Sequence, residues 1–229
     1  MFEREELLIG KDNLLKLKNK TILIIGVGGV GGYVVESLVR CGIGHVILCD
    51  YDVVDITNIN RQIIALNSTI GKKKIECFKE RINDINPDCT VDTYDLFYDE
   101  SNKDIFFNQH IDYVIDCCDT LKSKVLIINE SIKRNIPIIS SMGTGNKFHP
   151  EMFKITKLKN TNYDPLAKKL RYMLKDNKEA LNIMVAYSNE ESIKGLDKIG
   201  SIAFVPSSVG LLISSYVILD LLKKGDNNE

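Results

Sequence analysis

The sequence has six cysteines, Cys41, Cys49, Cys77, Cys89, Cys117 and Cys118, and no C-x-x-C pair among them. A four-cysteine zinc site of ordinary spacing is thereby excluded. Charge of one sign is lacking too: 30 Lys and Arg stand against 31 Asp and Glu, a formal net charge of −1. That excludes a chain that coats nucleic acid through bulk charge and leaves only a local basic face for gripping phosphates. With 5 prolines, 15 glycines, no internal repeat and no low-complexity stretch, collagen-like and disordered classes are excluded. The opening segment, MFEREELLIGKDNLLK, has no basic start followed by an apolar stretch and a small-residue cleavage site, so a secretory signal is not expected. The longest apolar run, Val209 to Leu222, is broken by Ser214, Ser215 and Asp220. It reads as too short and too polar for membrane insertion, and as a buried or dimer-interface helix instead. Cys41, Cys49 and Cys117 sit in apolar segments as core filler, and a reducing, cytoplasmic compartment is expected.

What is present is an ordinary globular composition, 44% hydrophobic and 27% charged over 229 residues. A chain of this length buries roughly 70% of its unfolded surface without disulfides or metal. Thr21–Ile25 is a short, β-branched, fully apolar run, the pattern of a strand covered on both faces of a parallel sheet. Helical spacing follows from Tyr33 to Cys41, a second strand over His45–Cys49, and an amphipathic helix over Lys72–Asn86 that Pro87 ends. Strands are expected at Thr90–Tyr94, Tyr113–Cys117 and Pro137–Ser140, and helices over Ser101–Gln109 and Lys122–Arg134. This alternation predicts an α/β, doubly wound, mainly parallel sheet with right-handed crossovers. After Gly145 the pattern changes. Phe153–Leu158 reads as an isolated strand, Asp164–Lys175 as a basic amphipathic helix, and Asn189–Ile199 as a polar loop. Ile183–Tyr187 and Ser201–Val205 are expected to pair as antiparallel strands. The chain thus reads as a single domain, 1–229, with a core of about 20–145 and a C-terminal antiparallel extension of about 146–229.

Gly26-Val27-Gly28-Gly29-Val30-Gly31 fits G-x-G-x-x-G directly after a strand and before a helix. Glycines there let the backbone turn tightly and approach a phosphate, and the helix N-terminus adds unpaired N–H donors. Asp50 closes the next strand, where a carboxylate accepts the two ribose hydroxyls; Asp52 either joins it or caps the following turn. Asn58-Ile59-Asn60-Arg61-Gln62 and Gly71-Lys72-Lys73-Lys74 follow closely. Two fixed cations are excessive for a dinucleotide and suit a triphosphate: arginine binds its oxygens bidentately, lysine as a point charge. Arg61 is expected to be buried between apolar flanks, and two of the three lysines to be a solvated first helical turn. Asp116-Cys117-Cys118-Asp119 ends the fourth strand, at the sheet edge that lines ligand crevices. A carboxylate there suits Mg²⁺, which takes one or two carboxylates plus phosphate oxygens. Asp119 is favoured for that role, with Asp116 the alternative; one of the two could instead cap the helix starting near Thr120.

Taken together, GVGGVGG at 26–32, DYD at 50–52, TNINRQ at 57–62, GKKK at 71–74 and DCCD at 116–119 closely resemble the ThiF/MoeB/ubiquitin-activating superfamily of ATP-dependent adenylating enzymes. The resemblance spans nearly the whole chain and implies a Rossmann-like fold. It implies that Gly26, Gly28, Gly29, Gly31, Asp50, Asp52, Asn58 and Gln62 bind nucleotide, that Arg61 and Lys74 act on the triphosphate, and that Asp119 sits by Mg²⁺. A monovalent cation near the site is left open. The resemblance also places an arginine ahead of the first strand into a neighbouring subunit's ATP site, a position matched by Arg4, so that the active unit would be a homodimer. ERxELLIG at 3–10, DITNINRQIIAL, SMGTGNKFHP, DPLAKKLR and GSIAFVPSSVGL resemble one branch in particular, the tRNA threonylcarbamoyladenosine dehydratases; Ile64 departs from it, standing where that branch commonly has histidine. What this implies is adenylation of the threonylcarbamoyl carboxylate on tRNA, then cyclisation with net loss of water, needing neither thiol nor zinc. The basic helix would hold tRNA phosphates. The alternative is adenylation of the C-terminal glycine of a ubiquitin-like sulfur-carrier protein, with a sulfur-relay partner. Members that do so usually carry two C-x-x-C pairs, and ubiquitin-type activators need a further domain with a thioester cysteine.

Overall fold

A computed structural model describes residues 1–223, so the last six residues of the expected 146–229 extension lie outside the described residues. Two short helices, α1 (Glu3–Ile9) and α2 (Lys11–Lys18), precede the first strand. The core then alternates as expected: β1 (Thr21–Ile25), α3 (Gly31–Arg40), β2 (His45–Cys49), α4 (Lys74–Ile85), β3 (Thr90–Tyr94), α5 (Lys103–Phe107), β4 (Tyr113–Asp116), α6 (Leu121–Lys133) and β5 (Ile138–Ser141). The helix expected over 101–109 is only five residues long. The extension adds β6 (Phe153–Lys157), α7 (Pro165–Met173), β7 (Met184–Ser188) and α8 (Phe204–Lys223).

All strands join one seven-stranded sheet of order β3-β2-β1-β4-β5-β7-β6. Every pairing is parallel except β6 with β7. All five residues of β1 are buried, because helices cover both faces. One face packs Val34, Leu38 and Phe78 with Val209, Ile213 and Val217 of α8. The other packs Phe106, Ile127, Ile128, Leu170 and Tyr187. Chain order reverses between β1 and β4, and the crevice at their carboxyl ends is where this topology binds ligands.

Three expectations for the extension are corrected. Phe153–Lys157 is not isolated: it forms the sheet edge, with Phe153 opposite Ser188 and Lys157 opposite Met184. Residues 201–205 do not pair with β7. They lead into α8, whose Val205, Val209, Ile213 and Val217 recur every four residues and so share one buried helical stripe. Third, the apolar run expected to be too short and too polar for a membrane lies in the 20-residue α8, which by length and composition alone is long and apolar enough to cross one; 50% of its most apolar 18-residue stretch, of mean hydropathy 1.7, is buried inside the fold, as expected of a buried helix. The packing is close at Gly210, where a Cβ would stand 2.5 Å from the Val30 carbonyl oxygen.

Three half-buried or buried carboxylates tie the elements together. Burial alone would raise their pKa values, but hydrogen-bonded ion pairs outweigh it and lower them: Glu36 with Arg81 and Arg40, Asp112 with Lys20, and Glu130 with Arg134 and Lys103. A lowered folded-state pKa adds stability that is present above the unfolded value and lost as pH falls through the folded one. Chemical-denaturation midpoints should therefore hold steady above pH 5 and fall below about pH 4.5; midpoints unchanged to pH 3 would contradict these ion pairs.

Candidate functional site

The cleft lies over the crevice between β1 and β4. Gly26 leaves β1 with φ of +86°, and a Cβ on it would stand 2.9 Å from the backbone of Cys117 and Cys118, so only glycine fits. Gly26, Gly28 and Gly29 line the cleft. Gly31 does not: a Cβ there would sit 1.9 Å from the Gly26 carbonyl oxygen, so this glycine lets α3 close onto the turn and leaves the ligand to its neighbours.

Asp50 ends β2 and anchors the loop. The Val27 N–H donates to its Oδ2 at 2.8 Å and the Asp52 N–H to its Oδ1 at 2.9 Å. The carboxylate is 9% exposed and still lines the cleft, with a lone pair on each oxygen left for ribose hydroxyls. Asp52 is not a turn cap: its Oδ2 receives the Lys74 ammonium at 2.6 Å. Lys74, the first residue of α4, is 4% exposed, and its burial singles it out from its neighbours. Lys72 is exposed, and Lys73 bonds Asp95 at 3.1 Å on the surface.

Residues 58–62 form a helical turn, with the Arg61 and Gln62 N–H groups donating to the Asn58 carbonyl. The Asn58 side-chain oxygen accepts the Asp55 N–H at 3.1 Å and closes a capping box, which leaves its NH₂ end for a ligand. Arg61 is not buried as expected. It is half-exposed, because the turn puts Ile64 and Ala65 inward and Arg61 toward the cleft. Its Nη1 donates to the Thr57 carbonyl at 2.8 Å and the Asn60 side-chain oxygen at 2.9 Å. Gln62 is 7% exposed and lines the cleft, and its Oε1 is buried with no hydrogen-bond partner among the described residues. Such a group costs about 1–3 kcal/mol until something pairs it.

The two aspartates after β4 separate cleanly. Asp119 is exposed and lines the cleft. Asp116 is fully buried beneath it and ion-paired to the equally buried Lys124 at 2.9 Å. Neither caps α6, whose N-cap is Thr120 with no side-chain cap bond. The Lys124 ammonium also donates to the Ser141 carbonyl at 2.8 Å and to Ser140 Oγ at 3.3 Å. Burial alone would lower its pKa, but the Asp116 carboxylate more than offsets this and raises it, so the ammonium stays charged. Lys124 was legible in the sequence: it shares a helical face with Ile127, Ile128 and Ser131, where a lysine needs a buried anion.

Asp52, Asp119 and Asp50 together make the site negative enough to raise the pKa of the Tyr51 phenol at its mouth, Asp52 contributing most. The Tyr51 ring meets Phe97 edge-on, with centroids 5.2 Å apart, an aromatic pair the motif reading missed. The extension completes the wall through Ser201 and Pro206, beside Thr144 at the end of the core. The Asn60 amide donates to the Ser201 carbonyl at 2.9 Å, which pins the extension to the arginine turn.

No group of three or more His, Cys, Asp or Glu side chains poised for a metal occurs among the described residues. A lone accessible Asp119 beside a phosphate-binding cleft still fits Mg²⁺, which takes few protein ligands. The thiols fit a nucleophile's role poorly. Burial and the neighbouring Asp116 carboxylate push Cys117 and Cys118 far above a free thiol's pKa, so neither is a thiolate at neutral pH. Cys118→Ala is expected to keep adenylation within about fivefold of the parent; a complete loss with the fold intact would return a covalent role to that sulfur.

The ThiF family model matches residues 2–229. A tRNA threonylcarbamoyladenosine dehydratase of Bacillus subtilis is 43% identical over 97% of this chain and 94% of its own length. The Escherichia coli protein of that name is 39% identical over 73% of this chain, and the match spans 63% of the relative. The crystal structure of that E. coli dehydratase with ATP covers 100% of this chain and 96% of its own, with a TM-score of 0.95 at 32% identity.

Proposed function

Since the chain belongs to the ThiF family, we propose that it is a tRNA threonylcarbamoyladenosine dehydratase, which adenylates the carboxylate of N6-threonylcarbamoyladenosine in tRNA and cyclises it with net loss of water. The observation that carries the reading is the cleft itself. Two cations, Arg61 and Lys74, and three carboxylates, Asp50, Asp52 and Asp119, line one crevice at the switch point. Cations in that number suit a triphosphate, and the thiols of Cys117 and Cys118, which line the cleft, have raised pKa values and are poor acyl acceptors.

In this reading ATP enters with its ribose on Asp50 and its phosphates over the Gly26–Gly29 backbone. The substrate carboxylate attacks the α-phosphorus and pyrophosphate leaves, giving a mixed acyl–AMP anhydride. A nucleophile within the substrate then attacks the acyl carbon and releases AMP. The protein contributes positioning and charge, as in other phosphoryl-type transfers. Arg61 and Lys74 neutralise negative charge as it moves onto pyrophosphate. Asp52 holds Lys74 so that its charge is aimed before substrate arrives. Asn58 and Gln62 offer amide groups to the nucleotide, and the unpaired Gln62 oxygen is then satisfied. Mg²⁺, held by Asp119 together with phosphate oxygens, would supply further neutralisation of the triphosphate. No residue is assigned to a monovalent cation. In this reading the extension and the core act as one adenylation unit, because Ser201 and Pro206 line the same cleft as Gly29, and the protein works on tRNA in the cytoplasm.

The active unit in this reading is a homodimer in which Arg4 enters the partner's cleft. Arg4 lies on α1, exposed and away from its own cleft, and Leu7 and Leu8 beside it are 88% and 84% exposed, an apolar edge suited to a second copy. Mixing Arg4→Ala with Arg61→Ala protein should then restore up to about a quarter of parental activity, because randomly formed hybrid dimers contain one intact site. No recovery, with subunit exchange verified, would remove the shared site.

The deciding test is mass spectrometry of nucleosides from tRNA bearing threonylcarbamoyladenosine, incubated with the protein and Mg-ATP. An ATP-dependent loss of one water from that nucleoside is the expected result. No change, with pyrophosphate exchange on a carrier protein ending in Gly-Gly, would move the assignment to sulfur-carrier activation.

A further inference from the structure

The near-zero net charge of the chain conceals a concentration. Residues 154–178 carry eight Lys or Arg against two Asp, and one of those two, Asp164, is buried. This stretch includes β6, an edge strand of the sheet, and α7. Lys168, Tyr172 and Lys175 recur at i, i+4 and i+7 of α7 and its following turn, so they share a face. Lys168, Lys169 and Lys175 are all exposed. The other side of the helix, Ala167, Leu170 and Leu174, is buried in the core. Lys154 extends the basic surface onto the sheet: it is exposed, its ammonium lies 5.6 Å from the centre of the Tyr187 ring, and the Tyr187 hydroxyl donates to Asn162 just ahead of α7.

Two observations point to nucleic acid. Tyr172 is 73% exposed between Lys168 and Lys175, with the Lys175 ammonium 5.4 Å over its ring. A flat ring framed by ammoniums is the pairing that binds phosphates and stacks an unpaired base. The second is the helix's placement. Asp164 caps α7 by accepting the Ala167 N–H at 2.9 Å. The same carboxylate pairs with the buried Lys147 ammonium at 3.1 Å, which donates also to the Gly143 carbonyl at 2.8 Å. Gly143 adjoins Thr144, a wall of the nucleotide cleft. A buried ion pair therefore fixes the start of the basic helix to the rim of the site.

We propose that the exposed basic face of α7, continued by Lys154 and Lys159, is the surface that holds the phosphodiester backbone of the tRNA while one modified nucleoside enters the cleft. The inference rests on the dehydratase reading. It adds a docking surface, with affinity that is salt-dependent and largely blind to sequence.

The test uses full-length protein, unmodified tRNA and tRNA bearing threonylcarbamoyladenosine. Lys168→Gln/Lys169→Gln/Lys175→Gln protein is compared with a control lacking three exposed lysines elsewhere, Lys79→Gln/Lys133→Gln/Lys223→Gln. Each lost phosphate contact lowers the slope of log affinity against log salt by about 0.7–0.9. The α7 variant should lose about two units of slope and at least about tenfold in affinity at 0.1 M salt. Its KM for tRNA should rise while its ATP affinity and circular dichroism stay parental, and the control should behave as the parent does. Unchanged tRNA affinity in the α7 variant, or an equal loss in the control, overturns the proposal. So does loss of binding to poly-glutamate with tRNA binding intact, which would reassign the face to an acidic protein. Failure of the parent protein to dehydrate the nucleoside would count against the dehydratase reading, whatever the variants do.

Discussion

Arg61→Ala protein should keep its fold and lose about a thousandfold in AMP formation, the scale on which removal of a preorganised cationic donor acts on transferring phosphates. Both halves of that expectation come from the same geometry. Arg61 is half-exposed and bonds only its own turn through Nη1, at Thr57 and Asn60, so deleting it leaves no buried group stranded. Melting should stay within about 2 °C of the parent, as for an ordinary surface substitution. It lines the cleft, and in the proposed reading its charge acts where pyrophosphate leaves. Arg61→Lys should fall between the two, since an ammonium keeps the charge and loses the planar fork. Pre-steady-state release of AMP and pyrophosphate separates the chemical step from nucleotide binding. Near-parental release in Arg61→Ala protein would falsify the role of this residue.

Lys124→Met carries the second large effect, on stability. Lys124 and Asp116 are both fully buried, and the lysine bridges β4 to the end of β5 through the Ser141 carbonyl. Methionine keeps the volume and strands the carboxylate. An uncompensated buried charge of this kind costs about 3–5 kcal/mol. For a chain of this size the melting temperature should drop by about 6–20 °C. The double variant Lys124→Met/Asp116→Leu should recover most of the loss, because a buried ion pair exchanged for apolar residues of similar volume is often neutral. Calorimetry on both variants decides. A single variant that melts with the parent, or a double variant that melts lower still, would mean the pair does not bear on stability as described.

That pair also bears on the site. The Cys118 N–H and Sγ both donate to Asp116 Oδ1, at 3.1 and 3.0 Å, so the segment that presents Asp119 is tied to the buried carboxylate. The two aspartates of DCCD thus divide the work: one is spent on architecture and the other faces the cleft.

The contrast between the halves of the chain shows how much was legible beforehand. In the first half β1, β2, β4 and β5 are buried on both faces, only the edge strand β3 being half-exposed, and α3 to α6 each bury one side, so local composition and final environment agree, and the elements from β1 to β5 follow from the sequence. The glycine turn, Asp50, the arginine turn and the end of β4 follow with them, since a doubly wound sheet brings the carboxyl ends of its strands to one edge whatever the loops do. The second half gave less. Residues 183–188 are apolar enough to pair with any edge offered, and the partner was settled by which segment reached β5's side of the sheet. Residues 201–205, Ser-Ile-Ala-Phe-Val, are too short a run to tell strand from helix by themselves, and the four-residue repeat from Val205 through Val217 decides for α8.

The sequence by itself determined the fold class, the nucleotide crevice and the identities of its charged residues, because glycine geometry, strand burial and charge are properties of short segments. Only the tertiary structure decided which aspartate of the DCCD segment is accessible, that Arg61 stands half in solvent, that Gly31 serves packing, and that a buried Lys147–Asp164 pair ties the basic helix to the rim. Each of these depends on contacts between residues far apart in the chain, and burial and pairing across such distances are written in no local pattern.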